Sequence, residues 1–153
     1  VEASTGGGTV ETGIILAQAA LELLSAAILV EERGTVTQSQ FQRFNAAEKI
    51  RRLIEVLNVP PAIPVELKAL TAEAARLSRA DGPHAFTAMR NALIHAQRID
   101  EVLAAEPLAR YEAKMLGLWY VELVILWLVG FHGRYRSRLV DASSGITEQT
   151  VPW

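Results

Sequence analysis

Two apolar runs constrain the fold more than anything else in this sequence. Residues 13–30 include Leu16, Leu23, Leu24, Ile28 and Val30, with Gln18 and Glu22 set among them. Residues 115–131, Met-Leu-Gly-Leu-Trp-Tyr-Val-Glu-Leu-Val-Ile-Leu-Trp-Leu-Val-Gly-Phe, are more apolar still, with Glu122 near the middle. Each run is long enough for several helical turns. A helix that is apolar all round is either buried on two sides or in contact with lipid. A carboxylate at mid-depth in a bilayer costs roughly 2.5–3.5 kcal/mol even on insertion scales. The first run is therefore expected to be the central helix of a bundle. The second is expected to be buried by its own bundle on one side and by a second protomer on the other. A plain core helix is one rival for it. A membrane span belted by Trp119, Tyr120 and Trp127 is the other.

The rest of the chain fits an all-α fold, an up-and-down helical bundle of about five helices with a short extended C-terminal tail. Half of the 153 residues are hydrophobic and Gly and Pro are sparse, which favours helices and supplies a sizeable core. Residues 1–9, with Gly6-Gly7-Gly8, read as a flexible lead-in. One domain is expected over 10–140. Thr9 or Thr12 caps a helix from about Val10 to Arg33, and Gly34 ends it. Thr37 or Ser39 caps a second helix reaching about Asn58, with Phe41, Phe44, Ala47, Ile54 and Leu57 at helical spacing. Its Lys49, Arg51 and Arg52 alternate with Glu48 and Glu55, which suits a solvated face; an RNA-facing patch is the functional alternative. Pro60, Pro61 and Pro64 force an extended connection. A shorter helix follows over 65–79, and Asp81 caps the next, with Pro83 tolerated in its first turn. After a hinge at about 100–107 comes the long helix, from about Leu108 to Val129 and closed by Gly130 and Gly133. Residues 134–140 alternate with period two, so Arg134, Arg136 and Arg138 share a face. They either track an RNA backbone or face solvent while Tyr135 and Leu139 pack the segment down. Residues 141–153 read as a tail packed on the bundle, with Trp153 docking.

The helix after Asp81 carries Arg90-Asn91-Ala92-Leu93-Ile94-His95 behind an apolar stripe of Phe86, Met89, Leu93 and Ile94. Arginine is a permanent cation whose donor fork fits phosphate, and histidine moves protons near neutral pH. Metal-free RNA cleavage needs a base for the 2′-hydroxyl, a cation for the phosphorane oxygens and an acid for the leaving oxygen. Asn91 and His95 are four apart and share a face. Arg90 and His95 are five apart, about 140° around a helix, so they do not point the same way within one chain. Either the helix floors a cleft or a second copy faces the first. The structural reading is that Arg90 pairs with Glu48 or Glu101 and that His95 is a satisfied, half-buried histidine.

The hexapeptide Arg90 to His95 resembles the signature of HEPN domains, an Arg followed four to six residues later by His, often with Asn directly after the Arg. Asp81-Gly82-Pro83 and the stretch from Glu122 to Leu139 are similar to one bacterial branch of that family, and the likeness runs from about Val10 onward. The resemblance implies a small helical bundle, usually dimeric, in which two motifs meet at the dimer interface as a metal-independent endoribonuclease site. Carried over by position, Arg90 and His95 are catalytic and Asn91 is their polar companion. Arg98, Arg134, Arg136 and Arg138 are the candidate RNA contacts. Where many relatives have Pro after the His this chain has Ala96, so the helix is expected to continue to about Asp100. The resemblance also implies a toxin or antiphage effector.

Other classes are constrained by composition. A formal net charge of −2 gives no overall basic field, so any RNA contact is local. With no cysteine there is no disulfide framework, thiolate metal site or cysteine nucleophile, which fits a cytoplasmic protein. His84, His95 and His132 are too scattered to suggest a metal, and no cofactor is expected. Glu22 and Glu122 each call for a partner, with Arg90, His95 or a hydroxyl as candidates. The chain opens on Val1 without a signal-peptide pattern, and a regulatory N-terminal domain preceding it is expected. The partners expected are RNA and a second copy of the chain, with no membrane. The rival function is a non-catalytic module that binds a nucleotide or protein, or dimerises a larger protein.

Overall fold

The computed structural model of the protein describes residues 9–95, 105–140 and 148–153. Among these residues the fold is an all-α bundle of six helices with a two-stranded C-terminal hairpin. Helix α1 spans Val10–Ala26, and the Thr12 N–H donates to Thr9 Oγ1 at 3.2 Å as its cap. It widens into a π-helical segment, Ala27–Glu32, and the chain leaves through Gly34 at φ 59°. This whole segment is long and apolar enough to cross a bilayer by length and composition alone. Here Ile14, Leu21 and Ile28 are buried in the core, while Leu16 and Leu23 face outward.

The single helix expected over 37–58 is two. Helix α2, Gln38–Arg43, starts in a capping box between Thr37 and Gln40. Phe44 is then extended, and Asn45 caps helix α3, Ala46–Val56, by accepting the Glu48 N–H at 2.9 Å. Asn45 thus acts as a restart inside an otherwise periodic run. Helix α4, Lys68–Arg76, has no side-chain cap of its own. The Glu112 carboxylate, buried on another helix, instead accepts the Leu70 N–H at 2.7 Å. Helix α5 is Gly82–Ile94 and helix α6 is Pro107–Leu128.

Helix α1 packs on α3, α5 and α6, α4 packs on α6, and α5 packs on α3 and α6. Phe86, Leu116, Tyr120, Leu53 and Leu21 are fully buried at the centre, each worth roughly 1.5–3 kcal/mol of transfer free energy. Gly117 sets the closeness of three helices: a Cβ there would lie 2.4 Å from the Phe86 ring and 3.1 Å from Ala17 Cβ. One face of α6 is core, through Leu116, Tyr120, Leu123 and Val124, whereas Ile125, Leu128 and Val129 are exposed.

Strand β1, Arg134–Arg136, pairs antiparallel with β2, Glu148–Thr150, placing Tyr135 opposite Gln149. The Trp119 indole N–H donates to the Tyr135 hydroxyl at 2.8 Å, which itself donates to Gln149 Oε1 at 3.3 Å. The terminal Trp153 docks as expected, its indole N–H donating to the Phe131 carbonyl at 2.8 Å. The strand partner supplied by residues 148–150 was not expected.

Candidate functional site

Helix α5 is held firmly at its start. Asp81 Oδ1 accepts the His84 N–H at 2.9 Å, and Asp81 Oδ2 accepts from Arg51 Nε at 2.7 Å. That hydrogen bond raises the Arg51 pKa further, outweighing partial burial. The Gly82 N–H donates to the Pro61 carbonyl at 2.8 Å, and a Cβ on Gly82 would come 2.5 Å from the Tyr120 hydroxyl. That hydroxyl is buried without a hydrogen-bond partner among the described residues, and burial pushes its pKa well above the usual tyrosine value.

Along one side of α5, His84, Ala88 and Asn91 recur at helical spacing, and with Thr87 they wall a groove facing α3. The opposite wall is Asn45, Ala46, Ala47 and Arg51, and Arg79 joins from the loop before α5. The groove has a volume of about 320 Å³, and among the described residues no carboxylate lines it. His84 Nδ1 accepts the Ala80 N–H at 3.2 Å, so the neutral ring carries its proton on Nε2 as a donor.

The motif residues sit at the far end of the same helix. Arg90 is half-buried; one terminal guanidinium nitrogen, Nη1, donates to Asn91 Oδ1 at 3.3 Å, and its Nε is buried without a partner among the described residues. His95 is exposed and caps the helix in extended geometry, φ −103° and ψ 107°. Helix α5 thus ends at Ile94, and residues 96–100 of the span expected to reach Asp100 lie outside the described residues. Neither Gly nor Pro stops it there, so its end is not set by local propensity. Asn91 thus joins the motif to the groove. Neither Arg90 nor His95 is among the groove-lining residues.

The other candidates divide. Arg98 lies outside the described residues, as does Glu101. Arg134 and Arg136 are exposed on β1 and Arg138 is exposed after it, but the extended segment expected over 134–140 ends at Arg136 and the chain turns at 138–139. Two of the three cations, however, face carboxylates: Arg134 Nε lies 3.4 Å from Glu148, and Arg138 Nε lies 3.0 Å from Glu122. Glu122 therefore meets Arg138, not Arg90 or His95. Glu22 accepts from Gln18 Nε2 at 2.8 Å and lies 3.8 Å from Lys49 Nζ. Glu48 is engaged by Arg52 at 3.2 Å rather than by Arg90. Among the described residues no three His, Asp or Glu side chains cluster. Of the groove residues, Arg51 belongs to the charged set weighed above as an RNA-facing patch, whereas sequence spacing did not single out Asn45, Arg79, His84 and Thr87 as site residues. They come from two stretches, α3 with its cap and residues 79–87, that only packing brings together, and only the His84–Asn91 stripe on α5 carried a local signal.

The sequence matches the family described as the YopA C-terminal domain over residues 1–149. The chain belongs to the YopA C-terminal domain family. A relative in Bacillus subtilis (strain 168), named SPbeta prophage-derived uncharacterized protein YopA, is 32% identical over 149 residues. The alignment covers 94% of this chain and 32% of that protein, so the chain spans about a third of the length of its YopA relative. No solved structure matches. Within this YopA C-terminal domain, the polar groove and the Arg90–His95 end of α5 are the candidate site.

Proposed function

We propose that this chain is a metal-independent endoribonuclease of the HEPN type, acting on RNA in the cytoplasm as a homodimer whose two motifs form one composite site. The observation that carries the reading is the hydrogen bond from Arg90 to Asn91 Oδ1, 3.3 Å long. Arg90 and His95 leave the helix about 140° apart, but Asn91 and His95 are only about 40° apart. By reaching Asn91, the guanidinium comes round toward the side from which His95 projects, and His95 is solvent-exposed. In this mechanism the imidazole takes the 2′-hydroxyl proton or returns a proton to the leaving 5′-oxygen. The guanidinium stabilises charge on the phosphorane, Asn91 holds the guanidinium, and the product ends in a 2′,3′-cyclic phosphate. The prophage origin of the Bacillus relative supports a setting in conflict with phages, as a toxin or antiphage effector.

The second reading is a non-catalytic binding or dimerisation module of a larger protein. It is favoured by the carboxylates facing Arg134 and Arg138, which weaken the tail as an RNA track. Incubation with a mixed RNA pool in EDTA, beside Arg90→Ala and His95→Ala proteins of equal stability, separates the two. Cleavage by the wild type that is lost in both variants is expected. Retention of full activity in both variants would refute the assignment.

A further inference from the structure

We propose that the groove between α3 and α5 holds a backbone phosphate of the RNA strand, adjacent to the phosphate cut at Arg90 and His95. The identity of the strand rests on the ribonuclease reading; the anion chemistry of the groove does not. Among the described residues its lining presents two guanidinium groups, an imidazole and two carboxamides with no acidic side chain, while the Thr87 hydroxyl that also lines it gives its proton to the Pro83 carbonyl at 2.9 Å. In a chain of net charge −2, this is a local concentration of donors. Asp81, just before α5, is already engaged on both oxygens, by Arg51 Nε and by the His84 N–H. Arg51 spends Nε on that bond and keeps its remaining guanidinium donors.

Helix α3 begins in this wall. Asn45 Oδ1 is occupied by the Glu48 N–H, and Ala46 and Ala47 are the first two helical residues, whose N–H groups have no intrahelical acceptor. Both residues line the groove, so its positive helix end adds to the side-chain donors. Across the groove, the Ala80 N–H fixes His84 as an Nε2 donor. The cavity of about 320 Å³ admits a phosphate together with part of its nucleoside. Asn91 connects the two places, since it lines the groove and accepts from Arg90. His95 lies four residues on, about 6 Å along the helix axis. One strand can therefore run from the groove to the motif, with Arg51, Arg79 and His84 as positioning residues.

The test uses a short fluorescently labelled 2′-O-methyl oligoribonucleotide, which lacks the nucleophilic 2′-hydroxyl and cannot be cut by this chemistry. Binding is followed by anisotropy in EDTA across a salt series. Arg79→Gln removes one groove cation. Ala46→Glu places a carboxylate at the groove mouth, where the helix dipole favours it, so the fold is retained. Each is expected to weaken binding on the order of tenfold. Arg79→Gln should also make the slope of log affinity against log salt shallower by about 0.7. Lys68→Gln, an exposed cation off the groove, serves as the control and leaves binding unchanged. Absence of binding to the wild type, or wild-type affinity in both folded groove variants, would overturn the proposal. Cleavage of unmodified RNA is scored separately. Cutting with unchanged groove-variant affinity removes only the groove, and groove-dependent binding without any cutting removes only the nuclease.

Discussion

The two ends of helix α5 are built on opposite plans. At the N-terminal end Asp81 is bonded to His84 and Arg51, Gly82 is bonded to Pro61, and the backbone lies against the Tyr120 hydroxyl with no room for a methyl group. At the C-terminal end Arg90 holds only its neighbour Asn91 among the described residues, its Nε is unmatched, and His95 is exposed. At the first end Asp81 and Gly82 are consumed by folding, because their bonds and contacts fix α5 against α3, α6 and the connection at Pro61, and only His84 Nε2 and the remaining Arg51 donors are left to the groove. The second keeps polar groups that the fold does not use. On a helix whose middle is anchored by the fully buried Phe86, a rigid start and an uncommitted finish are what holding a site in place requires.

This contrast predicts where substitutions will be felt. The largest stability effect is expected for Gly82→Ala, since its Cβ would sit 2.5 Å from the Tyr120 hydroxyl and 3.2 Å from the Pro61 carbonyl. Overpacking of this kind costs about 3 kcal/mol, read as a lower denaturation midpoint at unchanged slope. Asp81→Ala comes next, at about 2 kcal/mol, because it removes a helix cap and strands the Arg51 guanidinium. Tyr120→Phe sharpens the comparison. It deletes a buried hydroxyl without a partner, so alone it should be neutral or stabilising by about 1 kcal/mol. Combined with Gly82→Ala it should recover part of the loss, because it removes the nearest atom in the way; a double-mutant cycle measures the coupling. The smallest stability change, within about 0.5 kcal/mol, is expected for His95→Ala at the exposed end.

Much of this was legible in the sequence. Thr9, Thr37 and Asp81 announced helix starts by residue type, and the buried faces of α1, α3 and α5 followed their 3.6-residue period. What escaped was non-local. Asn45 falls inside the periodic run expected to be a single helix, yet it begins a new one. Glu112 gave no sign that it would cap α4, because its partner Leu70 is forty-two positions away. Residues 148–150, Glu-Gln-Thr, lack an apolar strand pattern and pair only because β1 offers an edge. The groove eluded spacing for the same reason. Its walls lie on α3 and α5, and only tertiary packing brings Asn45 opposite Asn91.

The central claim is that the C-terminal end of α5 serves chemistry and not folding. The most direct test is the RNA cleavage rate of His95→Ala in EDTA, measured at a temperature where it and the wild type are equally folded. The account predicts a melting temperature matching the wild type and a rate lower by about 10²–10⁴-fold, the usual contribution of a general acid or base. An unchanged rate with intact folding would contradict it. So would a melting temperature that fell as far as that of Gly82→Ala, for His95 would then belong to the scaffold.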